Sequence, residues 1–211
     1  MKITALQPNL FPSKTYFDLI NKVDKVIFLD DSFLNSKCWV NKLALKRNGK
    51  KFIFKIGLKD VNENSLLCDA EVYCVKWKKN LLKIISSEYK NSKNFAKVFP
   101  VVKEIINLPT ENMSQIAAYS VFRMGQEFFN YDKSLTLSSK KYKDLEGSFR
   151  SKIIQICKKE RANTFHTFSI YRETFDSKFF IKNKISISYS SAPSGKDYSC
   201  IDFLMNDARL F

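Results

Sequence analysis

Two adjacent carboxylates, Asp30 and Asp31, close an almost continuously apolar run of Val26, Ile27, Phe28 and Leu29. At a strand end such a pair can supply a general base, or an acceptor for a sugar hydroxyl or an amine. The plainer use of the same residues is to form a turn or cap a helix. Neighbouring side chains of an extended chain point to opposite sides, so one of the two faces any given pocket. The next acid after Asp31 is Asp60. Between them stand eight cations and no anion: Lys37, Lys42, Lys46, Arg47, Lys50, Lys51, Lys55 and Lys59, with Phe33 and Trp39 interleaved. This stretch reads as a solvated hairpin and strand face, or as a phosphate anchor beside the carboxylates. The second reading suits a nucleotide sugar, another phosphorylated carrier or an RNA backbone.

His166 is the single histidine, inside the strand-like run 163–168. It reads first as a strand residue and second as a catalytic base. With no clustered Cys or Asp it implies no metal site. The five cysteines, Cys38, Cys68, Cys74, Cys157 and Cys200, form no CxxC pair. Reduced thiols are expected, without disulfides or zinc. GxGxxG, P-loop, GxSxG and HExxH patterns are absent, which removes the usual anchors for dinucleotide enzymes, NTPases, serine hydrolases and zincins.

These groups need a scaffold. The 211 residues carry 36 Lys and Arg against 21 Asp and Glu, a formal net charge of +15. The excess is mostly Lys rather than the Arg of dedicated phosphate readers, so the informative part is its local concentration after Asp31. A hydrophobic content of 45% with 5 Gly and 5 Pro is that of an ordered globular chain. The sequence holds no apolar run long enough for a transmembrane helix and no signal-peptide pattern. A cytoplasmic protein is therefore expected.

Residues 3–7 predict a strand. Pro8 and Pro12 then force a loop, a helix runs from Ser13 to about Val23, and 25–29 is a strand, together a βαβ unit. Further strands are expected at 51–57, 71–75, 135–137, 164–168 and 185–189. Helices are expected over 76–90, over 95–106 with a kink or break at Pro100, from Thr110 to Phe128, from Gly147 to about Glu160, near 177–180 and over 201–206. The expected architecture is one α/β domain over 1–211. Its mostly parallel central sheet is built from both ends of the chain, with residues 76–130 as a helical layer. Ligands of parallel sheets bind beyond the carboxyl ends of the strands. That rim holds Gln7, Asp30, Asp31, Ser138, Ser139 and the His166 to Ser169 strand end.

Several segments in order resemble the WbqC-like protein family. Gln7-Pro8-Asn9-Leu10-Phe11-Pro12 followed by Tyr16-Phe17-Asp18-Leu19-Ile20 is similar to its opening. Val26 to Asp31 matches its strand ending in a double Asp. Trp39-Val40-Asn41-Lys42 matches its tryptophan followed by Asn and a basic residue, and Ser199-Cys200-Ile201-Asp202-Phe203-Leu204-Met205-Asn206 its C-terminal segment. The sequence departs from the family at Thr15, where glycine is usual, and at Lys42, where arginine is common. It departs again at Ile170-Tyr171-Arg172, which replaces a glycine pair, and at Ser151-Lys152, which replaces a glutamate-arginine pair.

The resemblance implies a bacterial cytoplasmic protein of surface-polysaccharide (lipopolysaccharide, O-antigen) biosynthesis. Its implied activity is transfer of an acyl or aminoacyl group to the amine of a nucleotide-linked amino sugar. The donor stays open among acyl-CoA, a carrier-protein thioester and aminoacyl-tRNA, and no cofactor is firmly implied. On this reading Asp30 or Asp31 is the base. Gln7 and Asn41 orient hydroxyls or the acyl carbonyl, Lys37 and Lys42 hold phosphate, and Trp39 and Tyr16 stack on rings. Ser199, Asp202 and Asn206 complete the site or cap the terminal helix. The alternatives are a non-catalytic nucleotide-sugar or carrier-binding module, a nucleotidyltransferase-like enzyme and, less favoured, an RNA-binding protein.

Overall fold

The computed structural model describes residues 1–34, 38–175, 177–194 and 197–207. The chain opens as the sequence requires: strand β1 (Lys2–Leu6), helix α1 (Lys14–Ile20), strand β2 (Lys25–Phe28). A hairpin of β3 (Lys42–Arg47) and β4 (Lys50–Lys55) follows, then helices α2 (Lys76–Tyr89), α3 (Phe95–Ile106) and α4 (Met113–Phe128). The last third runs α5 (Ser138–Lys141), α6 (Phe149–Lys159), β5 (Thr164–Phe168), α7 (Ser177–Lys182), β6 (Ser186–Ser190) and α8 (Cys200–Asn206).

Four strands form a parallel sheet in the order β2-β1-β5-β6. Both ends of the chain supply it, as the sequence suggested, and the strands are apolar on both sides because both sides are covered. Alternation sorts their residues. Leu6, Val26 and Phe28 join α1 and the α2–α4 layer in one core cluster. Ile3, Ala5, Ile27, Leu29 and Phe165 join α6 and Phe180 of α7 in the other. The connections explain this split. β1 leads to β2 in one direction and β5 leads to β6 in the other. A constant crossover hand then puts α1 and α7 on opposite faces.

Some local expectations shift. Residues 51–57 do not join the parallel sheet; β4 pairs antiparallel with β3, a strand the sequence reading did not delimit. Asn48 and Gly49 take positive φ, +50° and +74°, the two-residue turn that matches strand twist. Residues 135–137 add a single rung, Leu137 beside Phe28, and 71–75 contributes isolated bridges. α3 continues through Pro100 without ending. Asn112 rather than Thr110 caps α4, its Oδ1 accepting from the Gln115 N–H at 3.0 Å. No helix of the described residues is long and apolar enough to cross a membrane.

Candidate functional site

The strand order reverses direction at β1, which leads to β2 on one side and has β5 on the other. Between the carboxyl ends of β1 and β5 the departing loops diverge and leave a crevice. A cleft of about 560 Å³ lies there, lined by residues 9–13 after β1, by 168, 170, 171 and 174 after β5, and by 193, 194 and 197–199 after β6. Lys42, Leu43 and Ala44 of β3, Lys51 of β4 and Trp39 form its remaining wall.

The loop after β1 is held rigidly. The Leu10 N–H donates to the Trp39 carbonyl at 3.1 Å and the Cys200 N–H to the Pro12 carbonyl at 2.7 Å. Phe11, 1% exposed, has φ +44° and donates its N–H to Ser120 Oγ at 3.0 Å. A buried non-glycine residue in the left-handed region, immediately before a proline, is strained backbone held by its surroundings.

Among the described residues the cleft carries rings, cations and one carboxylate. Trp39 is 40% exposed and Tyr171 39%. Lys51 Nζ donates to the Asp197 carbonyl at 2.7 Å and lies 5.5 Å from the Tyr198 ring centre. The Asp197 carboxylate accepts from Thr15 Oγ1 at 3.1 Å, the Ser194 N–H at 3.1 Å and Ser194 Oγ at 2.6 Å. Tyr16 forms part of the floor, its hydroxyl donating to the Gln7 carbonyl at 3.0 Å. Burial raises the Tyr16 phenol above its ordinary range, with the neighbouring Tyr131 and Tyr171 adding to the effect. Burial likewise raises Tyr171, followed by the nearby Cys38. Both phenols therefore stay protonated and serve as neutral donors.

A second polar cluster lies at the end of β2, and it is closed on itself. Asp30 is 2% exposed. Its Oδ1 accepts from the Ser139 N–H at 2.9 Å and its Oδ2 from Ser139 Oγ at 2.5 Å. Ser138 Oγ lies 3.1 Å from Asp30 Oδ1 and 2.5 Å from Asp31 Oδ1, so its single proton serves one carboxylate at a time. Lys152 of α6 pairs with Asp31 Oδ2. Neither aspartate lines the cleft.

The remaining candidates occupy other places. Gln7 sits between the two regions, its Nε2 donating to Ser32 Oγ at 2.9 Å and its Oε1 accepting from Cys38 Sγ at 3.3 Å. Asn41 Nδ2 donates to the Ile56 carbonyl at 2.7 Å while the Ile56 N–H donates back to the Asn41 carbonyl at 2.9 Å, which closes the open end of the hairpin. Asp202 Oδ1 accepts from the Tyr89 hydroxyl at 2.9 Å. Asn206 Nδ2 donates to the Asp202 carbonyl at 2.9 Å, and its Oδ1 accepts from Ser92 Oγ at 3.3 Å. His166 Nδ1 and Nε2 meet Ser188 Oγ at 2.7 Å and Ser190 Oγ at 2.9 Å. Burial lowers the His166 pKa, with Lys2 and Lys22 adding to it, and keeps the ring neutral. Lys37 lies outside the described residues.

The structure thus brings Tyr16, Trp39, Lys42 and Ser199 to the cleft and leaves Gln7, Asp30, Asp31, Asn41, His166, Asp202 and Asn206 off its lining. Ser199 does two things there, since its Oγ also accepts from the Ile201 N–H at 3.2 Å and caps α8. Lys51, one cation of the run after Asp31, lines the cleft too, and Asp197 and Tyr198 are cleft residues that the sequence reading did not single out. Their signal was the strand-end rule, applied to the chain after β6 as it was applied after β1 and β2. Lys152 was noted only as a departure from a sequence pattern, and it is the counter-ion of Asp31. The profile of the WbqC-like protein family matches residues 7–206, which spans the cleft, the aspartate cluster and α8. No curated protein and no solved structure matches the chain.

Proposed function

The chain belongs to the WbqC-like protein family, and from that premise we propose that it binds a nucleotide-linked amino sugar in the β1/β5 cleft and transfers an acyl or aminoacyl group to the sugar amine. The observation that carries this reading is one crevice holding two lysines, an aromatic rim and one restrained carboxylate. Lys42 and Lys51 match a diphosphate, each charge-assisted contact being worth about 1.5–3 kcal/mol. Trp39, Tyr171 and Tyr198 offer faces to a nucleobase or sugar ring. Asp197 is fixed by three donors and is the acceptor for the amine N–H. In the transfer the amine nitrogen forms a bond to the donor's carbonyl carbon, the donor's C–O or C–S bond breaks, and the amine proton leaves to the departing group or a base. The Tyr171 phenol is a neutral donor within the same cleft, whereas the single Tyr16 proton is taken up by the Gln7 carbonyl.

A second reading is favoured by one observation. The oxygens of Asp30 and Asp31 are taken up by Ser138, Ser139 and Lys152, so a base at that pair would have to break its own contacts. On this reading the chain is a nucleotide-sugar or carrier-binding module without turnover. Both readings are tested by mixing the protein with nucleotide-linked amino sugars and, in turn, acyl-CoA, a carrier-protein thioester and aminoacyl-tRNA. Mass spectrometry reads acyl gain, and calorimetry reads binding. Acylated sugar with one donor class supports transfer; binding without product for any donor supports the module; neither binding nor product contradicts both.

A further inference from the structure

The β3–β4 hairpin sets cation against cation. Lys42 faces Lys55, Lys46 faces Lys51 and Arg47 faces Lys50, three of the six rungs between the two strands. Like charges directly opposite one another destabilise a ladder. Lysines on an open edge strand are explicable as protection against pairing with another chain, and β4 has such an edge among the described strands. That argument does not reach β3. Its outer edge is already covered: the Ala44 carbonyl accepts from the Ser199 N–H at 2.8 Å, and the Lys46 N–H donates to the Tyr89 hydroxyl at 3.0 Å. The cations of β3 therefore have another cause.

Lys46, Arg47, Lys50 and Lys55 are exposed, and no salt bridge of the described residues engages them. Alternation puts the Lys42–Lys55 and Lys46–Lys51 pairs on one face, with Ala44 and Ile53 between them. Ile53 is 42% exposed. The Lys42 end of this face runs into the cleft rim, where Trp39 and Tyr171 present partly exposed rings.

We infer that this hairpin face is a docking strip for a single-stranded nucleic acid, whose phosphodiester backbone follows the lysines. A phosphodiester strand supplies the negative density that offsets the two repulsive rungs of this face, Lys42–Lys55 and Lys46–Lys51. Lysine is a point charge on a flexible stem, and it follows a phosphodiester backbone without the fixed bidentate geometry that arginine imposes. Unpaired bases at the cleft end have Trp39 and Tyr171 to stack on. Net charge alone did not single out this region; the pairing register does. The inference does not rest on the nucleotide-sugar reading.

The test is fluorescence anisotropy with a labelled single-stranded RNA of roughly twelve nucleotides, and with DNA of the same sequence, across a salt series. The expected result is binding with a log–log salt slope of about −0.7 for each phosphate neutralised. The triple variant Lys46→Ala, Lys50→Ala, Lys55→Ala should weaken binding at least ~10-fold and flatten the slope by about 1.4, the two contacts of Lys46 and Lys55 on this face. Lys50, on the opposite face, adds only relief of its repulsion with Arg47. Its Tm should rise, because repulsion has been removed. The control triple Lys83→Ala, Lys90→Ala, Lys103→Ala removes the same charge from α2, α3 and the turn between them, and should change binding little. Equal affinity for RNA and DNA assigns recognition to the backbone, and preference for RNA adds the 2′-hydroxyl; both support the strip. Absence of salt-dependent binding, equal weakening by the two triples, a lower Tm in the hairpin triple, or displacement of the strand by an equal charge of polyglutamate would overturn it. The hairpin triple alters no lining residue of the cleft, so its calorimetric affinity for nucleotide sugars separates failure of the strip from failure of the cleft.

Discussion

The two polar regions at the carboxyl ends of the parallel strands differ in what their groups still have to give. At the end of β2, Asp30 and Asp31 meet Ser138, Ser139 and Lys152, and the donors and acceptors consume one another. At the β1/β5 crevice the strand order reverses and no element of the described residues fills the gap. Rings and cations there face open volume. Both places satisfy the strand-end rule, but only the second is a topological switch point. The difference teaches that carboxylates at a strand end are a site only when the neighbouring connection leaves them room. Here α5 begins directly beyond β2 in space and takes that room.

The contrast can be broken most forcefully at Asp30. Asp30→Ala orphans the Ser139 N–H and the Ser139 hydroxyl, both half-buried, while Ser138 keeps Asp31, a loss of about 2–4 kcal/mol. Urea denaturation should show it, while the folded fraction keeps its ligand affinity. The opposite end of the sheet provides the next effect. Burial opposes ionisation of Glu160, but Lys141, Lys25 and the Tyr142 hydroxyl outweigh it and hold the pKa down at about 2 instead of 4.5. A folded pKa below the unfolded one stabilises above the unfolded value and loses that contribution as pH falls through the folded one. On the order of 3 kcal/mol should therefore drain away between about pH 4.5 and 2. Glu160→Gln should flatten that part of the stability–pH curve. A curve that keeps its shape would remove Glu160 as the cause.

In the cleft the expected effects move from stability to affinity. Trp39→Ala and Lys42→Ala should each weaken nucleotide-sugar binding about 10-fold, or ~1.4 kcal/mol. Each should change unfolding free energy by less than about 1 kcal/mol. The smallest expected effect is at His166. Its folded pKa lies below 6.5, chiefly through burial. The unfolded chain thus binds the proton first, and stability falls as pH drops below the unfolded value. His166→Gln should remove that slope in denaturation series between neutral and mildly acid pH.

The frame of the molecule was legible because its elements carry their own periodicity. β1, α1 and β2 are bounded by Pro8, Pro12 and apolar runs, and α2 to α4 show helical stripes that local residues alone determine. β3 was less visible, since Leu43-Ala44-Leu45 is flanked by cations and buried on both sides; the Asn48-Gly49 pair was a turn signal left unused. The candidate site was half legible. Trp39 and Asn41 are two apart, yet Trp39 reaches the cleft while Asn41 turns to the Ile56 carbonyl. Sequence spacing puts residues in one neighbourhood. Side-chain direction depends on partners far along the chain, such as Ser138 for Asp30 and Tyr89 for Asp202, and no local pattern encodes them.

The central claim is that ligand binding belongs to the crevice and not to the aspartate pair. One calorimetric series decides between them: a nucleotide-linked amino sugar titrated into the unaltered protein, Trp39→Ala and Asp31→Asn, each first shown to be folded. The account predicts about 10-fold weaker binding for Trp39→Ala and unchanged binding for Asp31→Asn. Full affinity in Trp39→Ala together with lost affinity in Asp31→Asn would contradict it and move the site to the end of β2.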